Sequence, residues 1–245
     1  MQKHVQKLLL IVAMMFVPWV TQAQTLGEYT FSTGVDTSKW IDMSTATQIL
    51  TPSGSDGLAS AVQNIGFSFP FAEDGYTQYS VNTDGNLRLG STVTGTANYS
   101  TPFTASNSNI NNPKINAFAC DGYGVSGSHY VKALNTVDAN NDSMLVVEFC
   151  TGTYTSTTRN ELYKWQVHLY TNGDIVIVYG AAPTTAPAVA RQPGLCVNAT
   201  DGWTIDASHN ATHFTAGVSS TTVATGTWPT QGRYYYGDFY KLKYC

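Results

Sequence analysis

The sequence predicts an all-β domain, an antiparallel two-sheet β-sandwich that is jelly-roll-like or related. Apolar and polar residues alternate in residues 65–71 and 165–170, and this two-residue period places successive side chains on opposite faces of a strand. Asp84-Gly85 and Asn172-Gly173 are dipeptides typical of β-hairpin turns. Charged residues make up only 11% of the chain, and Thr, Ser, Asn and Gly fill polar positions as strands and turns favour. We expect under about 10% helix beyond the N-terminal segment, against roughly a third in an average domain.

The expected strands are short, and turn residues separate them at the spacing of a sandwich or barrel. In chain order they cover residues 29–32, 39–41, 48–50, 65–71, 77–81, 87–89, 114–120, 130–134, 144–149, 165–170, 175–179, 195–197, 202–205 and 232–244. Residues 91–113 are rich in Thr, Ser and Asn with little apolar periodicity, which predicts a surface loop or a weak edge strand. Residues 175–179 are almost continuously apolar, which predicts a strand buried on both faces.

The alternating runs also predict the core and the turns. Same-phase residues of a strand face the same side, so we expect one core to contain Phe67, Phe69, Val81, Leu87, Leu89, Trp165, Val167, Leu169, Ile175 and Ile177. The central meander, residues 64–90, should turn at Glu73-Asp74-Gly75 and again at Asp84-Gly85, because Gly can take the positive φ of a tight turn.

The N-terminus has the pattern of a secretory signal peptide. Basic residues at Lys3 and Lys7 precede an apolar run at residues 8–17, followed by the small-x-small pattern that ends at Ala23. The run is too short to span a bilayer and fits a signal peptide cleaved after Ala23. No cysteine follows it until Cys120, which argues against a lipid-anchored signal. We therefore predict a signal peptide at residues 1–23 and a single β-sandwich domain at residues 24–245.

Charge and export define the compartment and exclude some partners. Without Lys3 and Lys7, 10 basic residues remain against 16 acidic ones, and such a surface disfavours nucleic acid and anionic membranes. No later stretch is long and apolar enough to cross a membrane. We expect a secreted, extracellular or cell-surface protein, with the periplasm as an alternative, whose partner is a glycan or a host or bacterial surface protein.

Two stretches resemble a known family. Residues 65–90 contain IGFSFPFAEDGYTQYSVNTDGNLRLG and residues 165–180 contain WQVHLYTNGDIVIVYG, and Trp228-Pro229 closes the pattern. These phrases resemble the N-terminal β-sandwich module of large multi-domain surface or secreted proteins of Bacteroidetes bacteria, which usually precedes fibronectin-type repeats and a sorting or anchoring domain. The first phrase is also similar to part of the nidogen-like extracellular module. The resemblance implies fold and compartment; because the chain ends at Cys245, we expect a stand-alone protein or a shortened relative.

The four cysteines are candidates for disulfides in an exported chain. They are Cys120, Cys150, Cys196 and Cys245. Four cysteines allow three pairings, and the sequence does not choose among them. We hypothesise a bridge between Cys120 and Cys196, with Cys120–Cys150 and Cys196–Cys245 as the competing arrangement. The spacing lacks the CxxC pattern of a zinc site.

Two of these cysteines each precede a loop that combines Asp-Gly with an aromatic residue. Sugar binding uses a flat ring together with carboxylate or amide groups for hydroxyls. The candidate ligand-binding residues in the two loops are Asp121, Tyr123, Asn198, Asp201 and Trp203. The alternative interpretation is that Asp-Gly forms ordinary turns and that the aromatic residues belong to the core.

Two further groups favour structural interpretations over metal binding. Asp138, Asn140 and Asp142 have the spacing of the first ligands of a calcium loop, but the Gly and Glu that such a loop needs are missing, which favours a hairpin turn. His209 and His213 lie four residues apart in a stretch that indicates a loop rather than a helix. We expect no metal and no cofactor.

Catalysis has little support in the sequence. Gly-x-Ser-x-Gly, His-Glu-x-x-His and phosphate-loop motifs are missing. A glycosidase needs two carboxylates that face one cleft; Glu148 and Glu161 are candidates, but they lie in an expected strand and an expected loop. We expect a non-catalytic binding or adhesion module, with glycan as one candidate ligand. The alternatives are a structural subunit or spacer without a ligand, and a glycan-active enzyme.

Overall fold

The computed structural model describes residues 25–52, 54–96, 102–108, 110–118, 121–154, 161–184, 189–218, 224–226 and 228–238. The predicted signal peptide, Cys120 and Cys245 lie outside these residues. The described part contains short 3-10 turns at Leu26–Glu28 and Thr37–Lys39 and no α-helix. None of its helical segments is long and apolar enough to cross a membrane.

Strands form nearly all the regular structure of the described residues. In chain order they are β1 (Thr30–Val35), β2 (Thr47–Leu50), β3 (Ser55–Asp56), β4 (Gln63–Phe71), β5 (Asp74–Val81), β6 (Asn86–Leu89), β7 (Lys114–Asn116), β8 (Gly122–Gly124), β9 (Tyr130–Val137), β10 (Ser143–Thr153), β11 (Tyr163–Tyr170), β12 (Ile175–Tyr179), β13 (Val189–Arg191), β14 (Gly194–Asn198), β15 (Asp201–Ile205), β16 (Ala211–Phe214), β17 (Ala224–Gly226) and β18 (Arg233–Asp238).

These strands build two antiparallel sheets, which confirms the predicted two-sheet sandwich. The larger sheet has the order β1-β18-β12-β11-β10-β8-β3, and β9 pairs with β10 and with β2. The smaller sheet has the order β16-β15-β14-β7-β6-β5-β4. Strands β13 and β17 form a separate two-stranded pair. The strand near the N-terminus, β1, lies at an edge of the larger sheet.

The central meander forms β4, β5 and β6, but its first turn lies earlier than predicted. The turn residues are Ala72 and Glu73, and the predicted turn residues Asp74 and Gly75 already belong to β5. Ala72 has a φ of 53°, the left-handed conformation that we expected of the glycine. The second turn is as predicted, because Gly85 takes a φ of 83°.

One apolar core fills the space between the sheets, and Trp165 lies at its centre. The buried indole stacks on Phe149 and on Phe118, with ring centroids 4.9 Å and 4.8 Å away. Of the residues predicted to share a core, nine are buried in this cluster and Phe67 packs against it partly buried. The predicted core is therefore confirmed.

The larger sheet is buried on its outer face as well. All residues of β12 are buried, as predicted for residues 175–179, and β10 is buried from Met144 onward. Residues 36–46, which we call the crossing segment, cover this face: Met43 packs against Met144 and Val146. The strand predicted at residues 39–41 is wrong, because the chain there completes a 3-10 turn and then crosses the sheet without pairing.

Residues 91–113 were predicted to be a surface loop or weak edge strand. Their described part is irregular, but it is packed against the smaller sheet. Phe103 and Ser108 are fully buried, and the Thr94 amide donates to Ser80 Oγ at 2.7 Å. The prediction of a surface loop holds for the exposed residues 91–93, 96, 105 and 106. It is wrong for Thr94, Phe103 and Ser108, which are buried in a segment where backbone-to-side-chain bonds give no periodic sequence pattern.

Leu169→Ala should lower the free energy of unfolding by about 2–5 kcal/mol, since it removes buried methyl groups and leaves a cavity. Val137→Ala on β9 is the control, because Val137 is 47% exposed and its truncation should cost under about 0.5 kcal/mol. Chemical denaturation measures both. A loss below about 0.5 kcal/mol for Leu169→Ala would show that the side chain is not in the core.

Gly85→Ala tests the turn beside Trp165. A Cβ at Gly85 would lie 2.8 Å from Trp165 Cζ2 and 2.9 Å from Phe118 Cβ. Backbone strain and overpacking together should cost about 2–5 kcal/mol. Gly127→Ala is matched in φ, at 82°, with nothing within 4 Å of the added Cβ, so it should cost only about 1–2 kcal/mol. Equal losses for the two variants would refute the steric argument.

Candidate functional site

A hydrogen-bond network fixes the crossing segment to the outer face of the larger sheet. The fully buried Gln166 side chain lies at its centre. Its Oε1 accepts from the Ile41 amide at 3.0 Å, and its Nε2 donates to the Ile41 carbonyl oxygen at 2.7 Å. The same Nε2 donates to Glu148 Oε2 at 2.7 Å. One side chain on β11 therefore holds both the crossing backbone and the carboxylate on β10.

His168 extends the network along β11. Its Nε2 lies 3.0 Å from Gln166 Oε1. Because an amide oxygen only accepts hydrogen bonds, His168 Nε2 carries the proton. Burial, with a smaller contribution from the positive charge of Lys39, lowers the pKa of His168 to about 3. The imidazole is neutral at neutral pH and has a structural role.

A cleft of about 360 Å³ opens beside this network, between the crossing segment and the outer faces of β9, β10 and β11. We call it the outer-face cleft. Its polar and aromatic lining comprises Trp40, Asp42, Ser44, Tyr130, Lys132, Glu148, Lys164 and Gln231. A Cβ at Gly180 would lie 2.9 Å from Trp40 Cη2, so the missing side chain leaves room for the indole at the wall of the cleft.

Tyr130 and Glu148 form a fixed pair within the cleft. The Tyr130 hydroxyl donates to Glu148 Oε1 at 2.8 Å, so both carboxylate oxygens of this nearly buried residue accept hydrogen bonds. Burial and the bond to Glu148 raise the pKa of Tyr130 well above its usual value. The phenol therefore keeps its proton and acts as a donor.

Two lysines flank the same tyrosine ring. Lys132 Nζ lies 4.8 Å and Lys164 Nζ 5.9 Å from the Tyr130 ring centroid. In the strand register, Lys132 on β9 is paired with Glu148 on β10, and Lys164 on β11 is paired with Cys150 on β10. Among the described residues, neither ammonium group forms a hydrogen bond or an ion pair.

A second cavity of about 360 Å³ adjoins the outer-face cleft and shares Lys164 and Ala181 with it. Glu161 lines this second cavity and is almost completely buried. The two carboxylates considered for catalysis in the sequence analysis, Glu148 and Glu161, therefore line adjoining spaces on one side of the molecule.

The structure does not bring the two predicted sugar-binding loops together. The loop with Asp121 and Tyr123 leads into β8, whose first amide donates to Asp84 Oδ1 at 2.9 Å. Asp84 precedes β6, at the end of the smaller sheet where β14 begins. Asn198 and Asp201 lie where β14 ends, roughly 13 Å further along the strand by the usual rise per residue.

The aromatic residues of the two loops have structural partners. The Tyr123 hydroxyl donates to the Gly54 carbonyl oxygen at 2.6 Å. Trp203 Nε1 donates to the Leu26 carbonyl oxygen, and its ring lies 4.8 Å from that of Phe31. Trp203 packs against the core partly buried, whereas the Tyr123 ring lies beside that of Tyr154, with centroids 6.0 Å apart. A ligand role for the two loops stays a prediction.

The polar residues of the second loop, Asn198 and Asp201, form hydrogen bonds with residues that lie beside them in the structure. Asn198 Oδ1 accepts from the Thr200 amide at 2.8 Å and closes the turn. Asp201 Oδ2 accepts from the Leu26 amide at 3.1 Å, and Asp201 Oδ1 lies 2.7 Å from His213 Nε2. This carboxylate links the start of the described chain to the edge of the smaller sheet.

The two cysteines that the structure describes are buried thiols. Cys150 lies on the outer face of β10, and Cys196 lies in β14 with Sγ 3.1 Å from Asn112 Oδ1. Burial raises the pKa of both thiols to about 12, so neither is a nucleophile at neutral pH. Because Cys120 and Cys245 lie outside the described residues, the disulfide pairing stays a prediction.

Asp138, Asn140 and Asp142, which are spaced like the first ligands of a calcium loop, form a hairpin turn. Asp138 Oδ1 accepts from the amides of Asn140 and Asp142 at 2.8 Å and 2.9 Å. It thereby closes the turn between β9 and β10, and the structure agrees with the interpretation favoured from the sequence.

The two histidines four residues apart have different partners. His209 Nδ1 lies 2.7 Å from the Tyr235 hydroxyl, whereas His213 bonds to Asp201. His213 lies within β16 and not in the predicted loop. This edge strand pairs with β15, but its polar sequence has no pattern that indicates a strand. Within the described residues, no group of three or more His, Cys, Asp or Glu side chains could hold a metal.

Sequence reasoning missed the outer-face cleft. Its residues come from the crossing segment and from three strands that are distant in the sequence. A partial signal exists: Glu148, Gln166 and His168 occupy the phase opposite to the core in strands that are otherwise apolar. Polar residues in that phase usually face solvent, so the sequence did not indicate that another segment covers them.

Comparison with known proteins gives one finding. A family model described as NIDO related matches residues 28–236 of the chain. A search of curated proteins finds no match, and a search of solved structures finds none.

Replacing His168 should reduce the acid sensitivity of the fold. Its pKa is about 3 when folded and about 6.5 when unfolded, so between these values only the unfolded state binds the proton. The free energy of unfolding should therefore fall by about 3 kcal/mol between pH 6.5 and pH 4 through this residue alone. His168→Gln should lack this component in denaturation measured across that range, and His209→Gln, which keeps His168, should retain it. Identical pH profiles for the wild type and His168→Gln would refute the assignment.

Proposed function

The chain belongs to the NIDO-related family, and from this premise we propose that it is a secreted or cell-surface, non-catalytic module that binds a saccharide in the outer-face cleft. Family membership and the predicted signal peptide both support an extracellular location. The proposal includes the predicted kinship with the N-terminal sandwich module of multi-domain Bacteroidetes proteins. A role in adhesion would follow from saccharide binding at a cell surface.

The outer-face cleft is the observation that carries this proposal. Its volume of about 360 Å³ lies within the usual range of ligand sites and suits one or two sugar rings. It offers an indole at the wall, with a phenol, a carboxylate and two ammonium groups around it. A sugar presents an apolar ring face and several hydroxyls, which such a combination of groups can contact together.

The phenol, the carboxylate and the crossing segment are held in position before any ligand binds. The Gln166 amide holds Glu148 and the crossing segment in place, and Tyr130 is bonded to Glu148. Preorganised groups lose little conformational freedom on binding, and this favours affinity.

A glycan-active enzyme is the second candidate. The observation that favours it is that Glu148 and Glu161 line two adjoining cavities that share Lys164. Against it, both Glu148 oxygens already accept hydrogen bonds from the protein. Release of reducing sugar from a bound glycan, lost in Glu148→Gln, would establish this candidate in place of the first.

Binding of the secreted protein to a glycan array tests the proposed function. We expect binding to a limited set of saccharides, and we expect Trp40→Ala to weaken it about tenfold or more through loss of the ring contact. Tyr154→Ala is the control, because this exposed aromatic residue does not line the cleft. A folded protein that binds no saccharide, or that binds with Trp40→Ala unchanged, would refute the proposal.

A further inference from the structure

We infer that the outer-face cleft recognises an acidic saccharide, with the carboxylate or sulfate group of the ligand seated between Lys132 and Lys164. This inference rests on the proposed saccharide binding and names the class of its ligand. The polar groups of the cleft differ in whether they already form hydrogen bonds within the protein.

The two carboxylates that line the cleft are hydrogen-bonded to the protein. Glu148 receives hydrogen bonds on both oxygens, from Tyr130 and Gln166. Asp42 receives bonds from the amide and the hydroxyl of Ser44, at 3.0 Å and 2.6 Å. These bonds, the hydroxyl first, and the positive charge of Lys132 lower the pKa of Asp42, so it is ionised at neutral pH.

The cations of the cleft are not committed in this way. In the described part of the chain, Lys132 and Lys164 contact the Tyr130 ring and form no hydrogen bond or ion pair. Each ammonium group has three donors to offer. The charged groups of the cleft that lack a hydrogen-bonded partner in the described residues are therefore cationic donors, and a carboxylate or sulfate matches them through charge-assisted hydrogen bonds.

The strand register places the two lysines where one group can reach both. Lys132 lies on β9 and Lys164 on β11, on either side of β10. Neighbouring strands are about 4.8 Å apart, and both ammonium groups lie within 6 Å of the same ring centroid. Flexible lysine side chains can converge on one anionic group above the Tyr130 ring.

The overall charge of the chain limits the ligand to a short one. The formal net charge is −4, and Glu148 and Asp42 add negative charge at the cleft itself. A long polyanion would meet repulsion beyond the two lysines, whereas a short acidic oligosaccharide would not. The pair of lysines in a negative protein therefore favours short acidic saccharides.

Calorimetric titration with three probes tests the inference: a short oligogalacturonate, its carboxyl-reduced neutral form and a sulfated galactose oligomer of the same length. We expect the charged probes to bind at least tenfold more tightly than the neutral one, with the tighter charged probe identifying carboxylate or sulfate. Lys132→Gln and Lys164→Gln should each weaken charged binding about tenfold and leave neutral binding within twofold. Lys39→Gln is the control, because Lys39 Nζ lies 4.7 Å over the Tyr234 ring, outside the cleft.

The outcomes separate this inference from the proposed function. Equal binding of the charged and neutral probes, or charged binding unaffected by both lysine substitutions in folded variants, would overturn the inference and leave saccharide binding in place. Failure of all three probes in a protein that binds neutral saccharides on the array would also overturn it. Failure to bind any saccharide would overturn the proposed function itself.

Discussion

The close contact between Gly85 and the Trp165 indole is the constraint on which the packing of the two sheets depends. Gly85 lies in the turn before β6 of the smaller sheet, and Trp165 lies at the middle of the core on β11 of the larger one. The neighbouring Asp84 carboxylate accepts the first amide of β8, so the same turn is bonded to the larger sheet. A side chain at position 85 would force the sheets apart, because interiors have little free volume.

Filling the core with large rings has a consequence on the other side of β10 and β11. The alternation that points Phe149, Trp165 and Val167 inward points Glu148 and Gln166 outward. Covering that outer face buries these polar groups, and a buried polar group without a partner is costly. The Gln166 amide solves this by bonding to the crossing segment and to Glu148. The outer-face cleft lies where the crossing segment no longer covers the outer face of the sheet.

The sequence predicted the parts of the fold that obey a local rule. Two-residue alternation identified the core positions of β11, and Asp84-Gly85 identified the turn that the sheets depend on. The sequence-based prediction placed the first meander turn too late. Ala72 takes the left-handed conformation, and nothing in the sequence indicates this. The cleft depends on Ile41 meeting Gln166, which is 125 residues away in the chain, and no local pattern specifies such a pairing. For the same reason, two similar Asp-Gly loops could not be known to lie at opposite ends of β14.

We propose that the ligand surface is the outer-face cleft and not the Asp-Gly loops. Hydrogen exchange read by mass spectrometry, with and without saturating oligogalacturonate, tests this directly because bound ligand slows the opening of the backbone it contacts. With ligand bound, we expect slower hydrogen exchange in peptides from the crossing segment and from residues 130–134, 144–150 and 163–166. Slower exchange confined to residues 121–124 and 198–203 would contradict it.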